Sequence, residues 1–314
     1  MRTYESLHTI PDDAFPRGTA IAIGKFDGVH LGHRALLARM AEIAEERSLD
    51  TLVFTFTNNP LSFLRPEICP EPILSSRQRL EVLERLGETA CVMVPFDARL
   101  AAVPAEEFVE RVLVETLRVG HICVGEDFRF GNGGAGDAAM LARLGERFGF
   151  TVEVIEDVED RELGRISSTR IREAILQGDV GTARRMLGRP ATVRGTVVQG
   201  DRRGRELGFP TANLGGELEG LVPREGVYAG WALVGGERHP AAISVGVNLT
   251  FEPGGDARVE AFLLDYSGDL YGRRIEVQFA ERLRGMEAFP DAGALIERMH
   301  EDVSRTRGIL AEGR

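Results

Sequence analysis

A chain of 314 residues, 43% hydrophobic and 28% charged, is long enough for two domains of ordinary size and has the composition of a soluble globular protein. Its net charge of −11 offers no general surface for a polyanion, which argues against nucleic acid as a partner. No apolar run approaches a membrane span and the N-terminus lacks the basic and apolar regions of a signal peptide, so a cytoplasmic protein without membrane contact is expected.

In chain order, short apolar runs at 19–24, 51–56, 90–96, 121–125 and 151–155 alternate with helical periodicity at 31–47, 76–86, 105–117 and 137–148. This alternation predicts an open parallel α/β sheet, whose ligands bind at the carboxyl ends of the strands. Cys69, Cys91 and Cys123 form no CxxC pair and read as buried thiols rather than disulfides or a zinc site. The stretch GKFDGVHLGH, residues 24–33, sits at a strand end: Gly24 closes the strand, Asp27 and Gly28 turn, and a helix starts near Leu31. His30 and His33 then flank its first turn. Unpaired helix N–H groups and two imidazoles aimed at one anion suit a nucleotide phosphate, in preference to a turn histidine beside a core histidine. Lys25, the chain's single lysine, lies in the same stretch and faces either phosphate or solvent.

Further along, VGEDFRFGNGGAGD (124–137) is a glycine loop that lets backbone approach a ligand. Phe128 and Phe130 either stack on a planar ring there or anchor the loop in the core. GRISSTRIREAILQGD (164–179) places Ser167, Ser168 and Thr169 as helix caps, with Arg170 and Arg172 in the first turn. Cations are poorly placed there for the helix dipole, and a bound polyphosphate gives them a reason; an ordinary cap with surface arginines is the alternative.

Beyond residue 187 the alternation stops. Extended runs at 191–199, 227–234, 240–247, 257–264 and 273–281, separated by Gly, Pro and Asp turns, predict a compact antiparallel barrel, followed by an amphipathic helix at 294–306. The expected domains are 1–187 and 188–314. Within GTVVQGDRRGRELGFPTANL (195–214), Gly200, Gly204 and Gly208 form a loop able to fold over phosphates, and Pro210 fixes the chain before Thr211 and Asn213. A hydroxyl and an amide oxygen two residues apart suit Mg²⁺ beside phosphate oxygens, or else satisfy a turn.

HxGH and ISSTRIR resemble the nucleotidyltransferase superfamily, and the run ending PTAN resembles the riboflavin kinase signature. PREGVYAGW (223–231), AISVGVNLTF (242–251), VEAFLLDYSGDLYGRRIEVQF (259–279) and RLRGMEAF (282–289) agree in order, so nearly the whole chain is similar to the bifunctional bacterial riboflavin kinase and FAD synthetase family. The resemblance implies a Rossmann-like HxGH nucleotidyltransferase domain, the FMN adenylyltransferase, followed by an antiparallel β-barrel riboflavin kinase domain with a C-terminal helix. It implies that ATP phosphorylates riboflavin to FMN in the barrel, with Mg²⁺ at Thr211 and Asn213 and Glu260 orienting or deprotonating the 5′-hydroxyl. A second ATP then adenylylates FMN to FAD with loss of pyrophosphate, and His30, His33, Ser168, Thr169 and Arg172 stabilise the phosphate charge. Gly24, Phe26, Asp27, Gly28, Gly32, Asp127, Phe128, Gly131, Ser167 and Arg170 are implied as ligand-binding positions in the first half. Gly200, Gly204, Arg205, Gly208, Pro210 and Tyr228 are implied in the second.

The chain departs from the family pattern at three points. TFTNNP (55–60) carries Asn58 and Asn59 where the family reads Pro and His in TFDPHP, Gln199 stands for a histidine, and Leu249 for a proline. The first change removes an ionisable ring, although either asparagine can donate an uncharged amide N–H to phosphate. A riboflavin kinase with a degenerate first domain and a non-catalytic flavin-binding protein remain as alternatives. An aminoacyl-tRNA synthetase relative is opposed by the acidic charge and by the barrel. Self-association is left open by the sequence.

Overall fold

The computed structural model describes residues 1–200, 207–247 and 257–312. The chain forms two compact units, Met1–Ile166 and Ser167–Arg314.

In chain order the first unit contributes β1 (Arg2–Tyr4), β2 (Thr19–Ile23), β3 (Asp50–Phe56), β4 (Ala90–Val94) and β5 (Val119–Gly125). A short hairpin of β6 (Arg129–Phe130) and β7 (Gly136–Asp137) follows, then β8 (Thr151–Ile155). Six of these strands form one parallel sheet in the order β1-β4-β3-β2-β5-β8. Every residue of β2 and β4 is buried, as parallel strands covered on both faces require. On one face Ile21, Ile23, Leu52, Phe54 and Val92 share a core with Phe108, Val109, Leu113 and Leu141. Strand alternation turns Ala20 and Ala22 to the other face, and their small side chains leave room for the Leu31–Arg47 helix, which packs on β2, β3 and β5. The helix expected at 105–117 forms with a wider turn than expected: Phe108–Thr116 is a π-helix, with Leu117 N–H reaching the Val112 carbonyl at 3.0 Å.

The order of the strands sets the chemistry of this unit. From β2 the chain moves outward to β3 and β4, then returns to pair β5 with the opposite side of β2, Ala22 against Cys123. In open α/β sheets such a reversal is where ligands bind, outside the carboxyl ends of the two strands, here β2 and β5. The loops leaving those two ends are residues 24–30 and 126–137. A second hairpin, β9 (Glu159–Asp160) with β10 (Gly164–Arg165), ends the unit.

The second unit opens with two helices, Ser168–Gln177 and Val180–Leu187. They pack on each other, and the second lies on the barrel, with Val180 in the barrel core. The compact units therefore divide after Ile166, ahead of the change in sequence pattern at 187. The barrel comprises β11 (Ala191–Val198), β12 (Ala212–Glu219), β13 (Gly226–Val234), β14 (Glu237–Val247), β15 (Ala257–Leu263) and β16 (Arg274–Arg284). Its strands close in the order β11-β12-β15-β14-β13-β16, every pair antiparallel, which leaves no open sheet edge. Val193, Leu214, Ile243, Val259, Val277 and Phe279 fill the interior. The helix Ala292–Glu312 covers β13, β14 and β16, and Arg284 ties it down through Asp302 at 2.8 Å with both side chains nearly buried. β1 and β12 were absent from the sequence expectation.

One buried carboxyl bears on stability. Glu88, 6% exposed in the turn before β4, hydrogen-bonds the Thr51 side chain, while its Oε2 has no partner among the described residues. Burial pushes its pKa up from 4.5 to about 7. The neutral carboxyl is the form that folding favours, so its contribution is complete below pH 4.5 and is lost as pH rises through about 7. Glu88→Gln is therefore expected to gain on the wild type between about pH 5 and about pH 7.5, by up to about 3 kcal/mol, and to hold that margin above. Urea unfolding across this range checks it. A margin that does not change with pH would remove Glu88 as the cause.

Candidate functional site

The loop after β2 is built under strain. Phe26 and Val29, both fully buried, take φ values of 50° and 41°, and Gly28 takes 82°. Positive φ is rare for a β-branched residue such as Val29. The turn delivers His30 to the N-cap of the Leu31–Arg47 helix, where His30 Nδ1 accepts the His33 backbone N–H at 3.3 Å. With Nδ1 accepting, the neutral ring carries its proton on Nε2. The His30 and His33 rings stack with centroids 3.7 Å apart, and Phe26 lies 5.1 Å from His33. A Cβ on Gly32 would stand 3.1 Å from the His30 ring, so the glycine between the histidines makes room for the stack. Gly24 lies beside the Phe26 ring, and the Asp27 carboxylate accepts the Ile73 backbone N–H at 2.9 Å. Lys25 turns its side chain to solvent.

Sequence reasoning did not single out Arg79. It lies in the first turn of the Ser76–Arg85 helix, is 7% exposed, and directs Nη1 at the Lys25 carbonyl and Nη2 at the Phe56 carbonyl, each at 2.6 Å. The two asparagines after β3 have separate partners. Asn58 pairs with the Phe96 backbone in both directions, accepting at 2.8 Å and donating at 3.1 Å, and it also donates to Ser62. Asn59 caps the next helix by accepting the Leu61 N–H at 3.1 Å.

The glycine loop is a folded hairpin. A Cβ on Gly131 would meet the Ala105 backbone at 2.5 Å, so this glycine, at φ 74°, serves a close approach. Phe128 stacks on Phe130 at 5.5 Å, Phe130 contacts Phe108, and Phe130 is buried while Phe128 is half-buried. Asp127 is exposed.

In the second unit Ser167 is the N-cap of its helix and accepts the Arg170 N–H at 3.4 Å. Ser168 and Thr169 occupy the first turn, and Arg172 is 9% exposed.

The barrel brings Thr211, Asn213 and Glu260 together. Asn213 of β12 is the register partner of Glu260 on β15, Thr211 Oγ1 donates to Glu260 Oε2 at 3.3 Å, and Asn213 Nδ2 donates to the Thr211 carbonyl at 3.4 Å. Arg258 flanks Glu260 at 3.7 Å. A Cβ on Gly200 would lie 2.6 Å from the Asn213 side chain, so a larger residue there would displace that amide. A hydroxyl, an amide and a carboxylate are hard oxygen donors, the set that Mg²⁺ takes, and they fit that ion. Gly208 and Pro210 are exposed, whereas Phe209 between them is buried against Phe262 and His300. Tyr228 has no exposed surface: it packs on Phe279 in the barrel core and donates to the Arg224 carbonyl, which makes it a core residue in this conformation. Gly204, Arg205 and Leu249 lie outside the described residues.

Comparison with known proteins matches each half of the chain. The FAD synthetase family model covers residues 12–170 and the riboflavin kinase model residues 187–310. The bifunctional riboflavin kinase/FMN adenylyltransferase of Pseudomonas fluorescens is 38% identical over 99% of this chain and 98% of its own length. The protein of the same name from Escherichia coli K12 is 35% identical over 96% of each. A crystal structure described as a macrolide-efflux protein from Streptococcus pneumoniae is 31% identical and superposes with a TM-score of 0.84 over 97% of this chain and 98% of its own. Among the described residues of the present chain, no helix is long and apolar enough to cross a membrane.

Proposed function

From the premise that this chain belongs to the bifunctional riboflavin kinase/FMN adenylyltransferase family, we propose which of its residues carry each activity. The protein phosphorylates riboflavin to FMN and adenylylates FMN to FAD, with one ATP consumed at each step. The observation that carries the residue assignment is the convergence of Thr211, Asn213 and Glu260 across two paired strands.

In the kinase, the 5′-hydroxyl of riboflavin forms a bond to the γ-phosphorus of ATP as the bond to ADP breaks. Glu260 orients that hydroxyl and takes its proton, and the Thr211 hydroxyl holds the carboxylate in place. Mg²⁺ held by Thr211 and Asn213 would neutralise charge on the transferring phosphate. Gly200, Gly204, Arg205, Gly208 and Pro210 are the proposed cover over the ATP phosphates.

In the adenylyltransferase, an oxygen of the FMN phosphate attacks the α-phosphorus of ATP and pyrophosphate leaves. His30 Nε2–H, His33 and the N–H groups at the start of their helix supply donors where charge develops. Ser168, Thr169, Arg170 and Arg172, in the first two turns of the Ser168–Gln177 helix, are proposed as phosphate-binding residues, and Phe128 is proposed to meet the flavin ring. The proposed functional boundary is 187/188, since the riboflavin kinase match begins at 187 even though the preceding helices pack with the barrel. The proposed location is the cytoplasm, in keeping with the composition and with ATP as substrate.

Incubation of the full chain with riboflavin, ATP and Mg²⁺, followed by chromatographic separation of the flavins, tests the assignment. Glu260→Ala is expected to abolish riboflavin phosphorylation and leave adenylylation of supplied FMN intact; loss of both activities in a folded variant contradicts two separate sites. His33→Ala is expected to slow FAD formation by about a hundredfold or more while the kinase persists, and unchanged FAD synthesis would sink the role given to HxGH. The wild type is expected to accumulate FMN before FAD. Asn59→His adds an ionisable ring and can keep the helix cap, as His30 Nδ1 does, so it should raise the FMN adenylylation rate without altering the kinase. An unaltered rate excludes Asn59 from the site.

A further inference from the structure

The turn that carries the histidines is not held by its own residues. Phe26 and Val29 sit in the left-handed region, and such strain persists only where the surroundings over-determine it. One side chain reaches both strand ends around the turn. Arg79 Nη1 takes the Lys25 carbonyl at 2.6 Å, and Nη2 takes the Phe56 carbonyl at 2.6 Å with Thr57 O and Ser76 Oγ each at 3.4 Å. The Thr55 hydroxyl donates to the same Lys25 carbonyl at 3.2 Å. On the far side of Phe26, the Asp27 carboxylate is anchored by Ile73 N–H and attracts the guanidinium. An arginine 7% exposed is expensive to bury, and its two shortest hydrogen bonds go to backbone carbonyls at the carboxyl ends of β2 and β3.

We propose that Arg79 is a positioning residue for FMN adenylylation: it clamps the carboxyl ends of β2 and β3 so that the strained Lys25–Val29 turn presents His30 and His33 in reacting geometry. Arg79 acts through the loop, not on the phosphates. The planar fork of the guanidinium is what serves two carbonyls on different strands; an ammonium at the same place reaches one. Burial lowers the Arg79 pKa and the Asp27 carboxylate opposes that shift; a guanidinium is too basic to lose its proton in a protein, so the clamp is charged. The proposal rests on the assignment of the two histidines to adenylylation.

The test uses the full chain; circular dichroism and thermal unfolding report whether the first unit is folded in each variant, and the riboflavin kinase is the control for the second. Arg79→Met, Arg79→Lys and His33→Ala are assayed for both reactions under steady-state conditions. Arg79→Met is expected to lower kcat for FMN adenylylation by about tenfold or more, with KM for FMN changed by less than about threefold, because misplaced donors weaken the transition state more than the ground state. Arg79→Lys is expected to recover part of that loss, and kinase kcat should be unchanged in both. An unchanged adenylylation kcat in Arg79→Met, or a change confined to KM, overturns the proposal. Should Arg79→Met fail to fold, Arg79→Lys decides: a reduced kcat in a folded protein supports the clamp and a wild-type kcat overturns it. His33→Ala keeps the two failures apart, since full FAD synthesis in that variant defeats the histidine assignment whatever Arg79 does.

Discussion

Parallel strands leave their last carbonyl oxygens without a strand partner, and at the carboxyl ends of β2 and β3 those oxygens border the turn that carries the histidines. Buried carbonyls need donors. The Ser76–Arg85 helix supplies them from its first turn: Arg79 takes the Lys25 and Phe56 carbonyls, and the Ser76 hydroxyl takes Thr57 O at 2.8 Å. The helix start is in turn set by a reciprocal cap between Ser75 and Gln78. A local sequence device thus fixes where a helix begins, the helix start fixes a guanidinium, and the guanidinium spans two strand ends. The positive φ values of Phe26 and Val29 become tolerable only inside that frame.

The second unit solves a related problem with register. Closing six antiparallel strands leaves no freedom to slide β12 past β15, because a one-residue slip would turn every core side chain outward. The pairing of Asn213 with Glu260 is therefore set by the same hydrophobic alternation that buries Leu214, Val259 and Ala261. Thr211 precedes β12, where Pro210 fixes the backbone and the Phe209 ring wedges against Phe262 and His300. In one unit the groups proposed to react are held by a strained turn, in the other by a closed ladder.

Local and periodic features were legible in the sequence. The five long strands of the parallel sheet, the helix beginning at Leu31 and the Ser167 cap all follow from apolar runs and capping residues read a few positions at a time. β12 was not legible, because ANLGGELE holds two glycines and two glutamates, and its strand state comes from ladders with β11 and β15. β1 is three residues long and exists through pairing with β4, whose position in the sheet no local pattern gives. Arg79 sits in SRQRLEVLER, a stretch that reads as an amphipathic surface helix. Its burial depends on which strand ends the helix meets. The glycine loop was legible as a loop but not as a hairpin: Gly131 and Gly136 there accommodate Ala105 and Phe130, a tertiary contact that composition does not give.

ATP and FMN are anions, and a chain of net charge −11 repels them at long range. Physiological salt screens that repulsion beyond about 8 Å, so attraction must come from groups close to where the phosphates sit. Much of the positive charge is already committed elsewhere: Arg39 to Glu153, Arg194 to Glu276, Arg284 to Asp302. At the proposed sites the arginines, Arg170 and Arg172 among them, are joined by directional groups: helix N–H groups, stacked imidazoles, a hydroxyl and an amide. Such donors lose most of their value when displaced by a fraction of a hydrogen-bond length, whereas a surface of lysines would tolerate it. A phosphate ligand therefore gains affinity only where its oxygens meet fixed donors, which makes the rigidity of the strand ends and of the barrel ladder a condition of recognition as well as of rate.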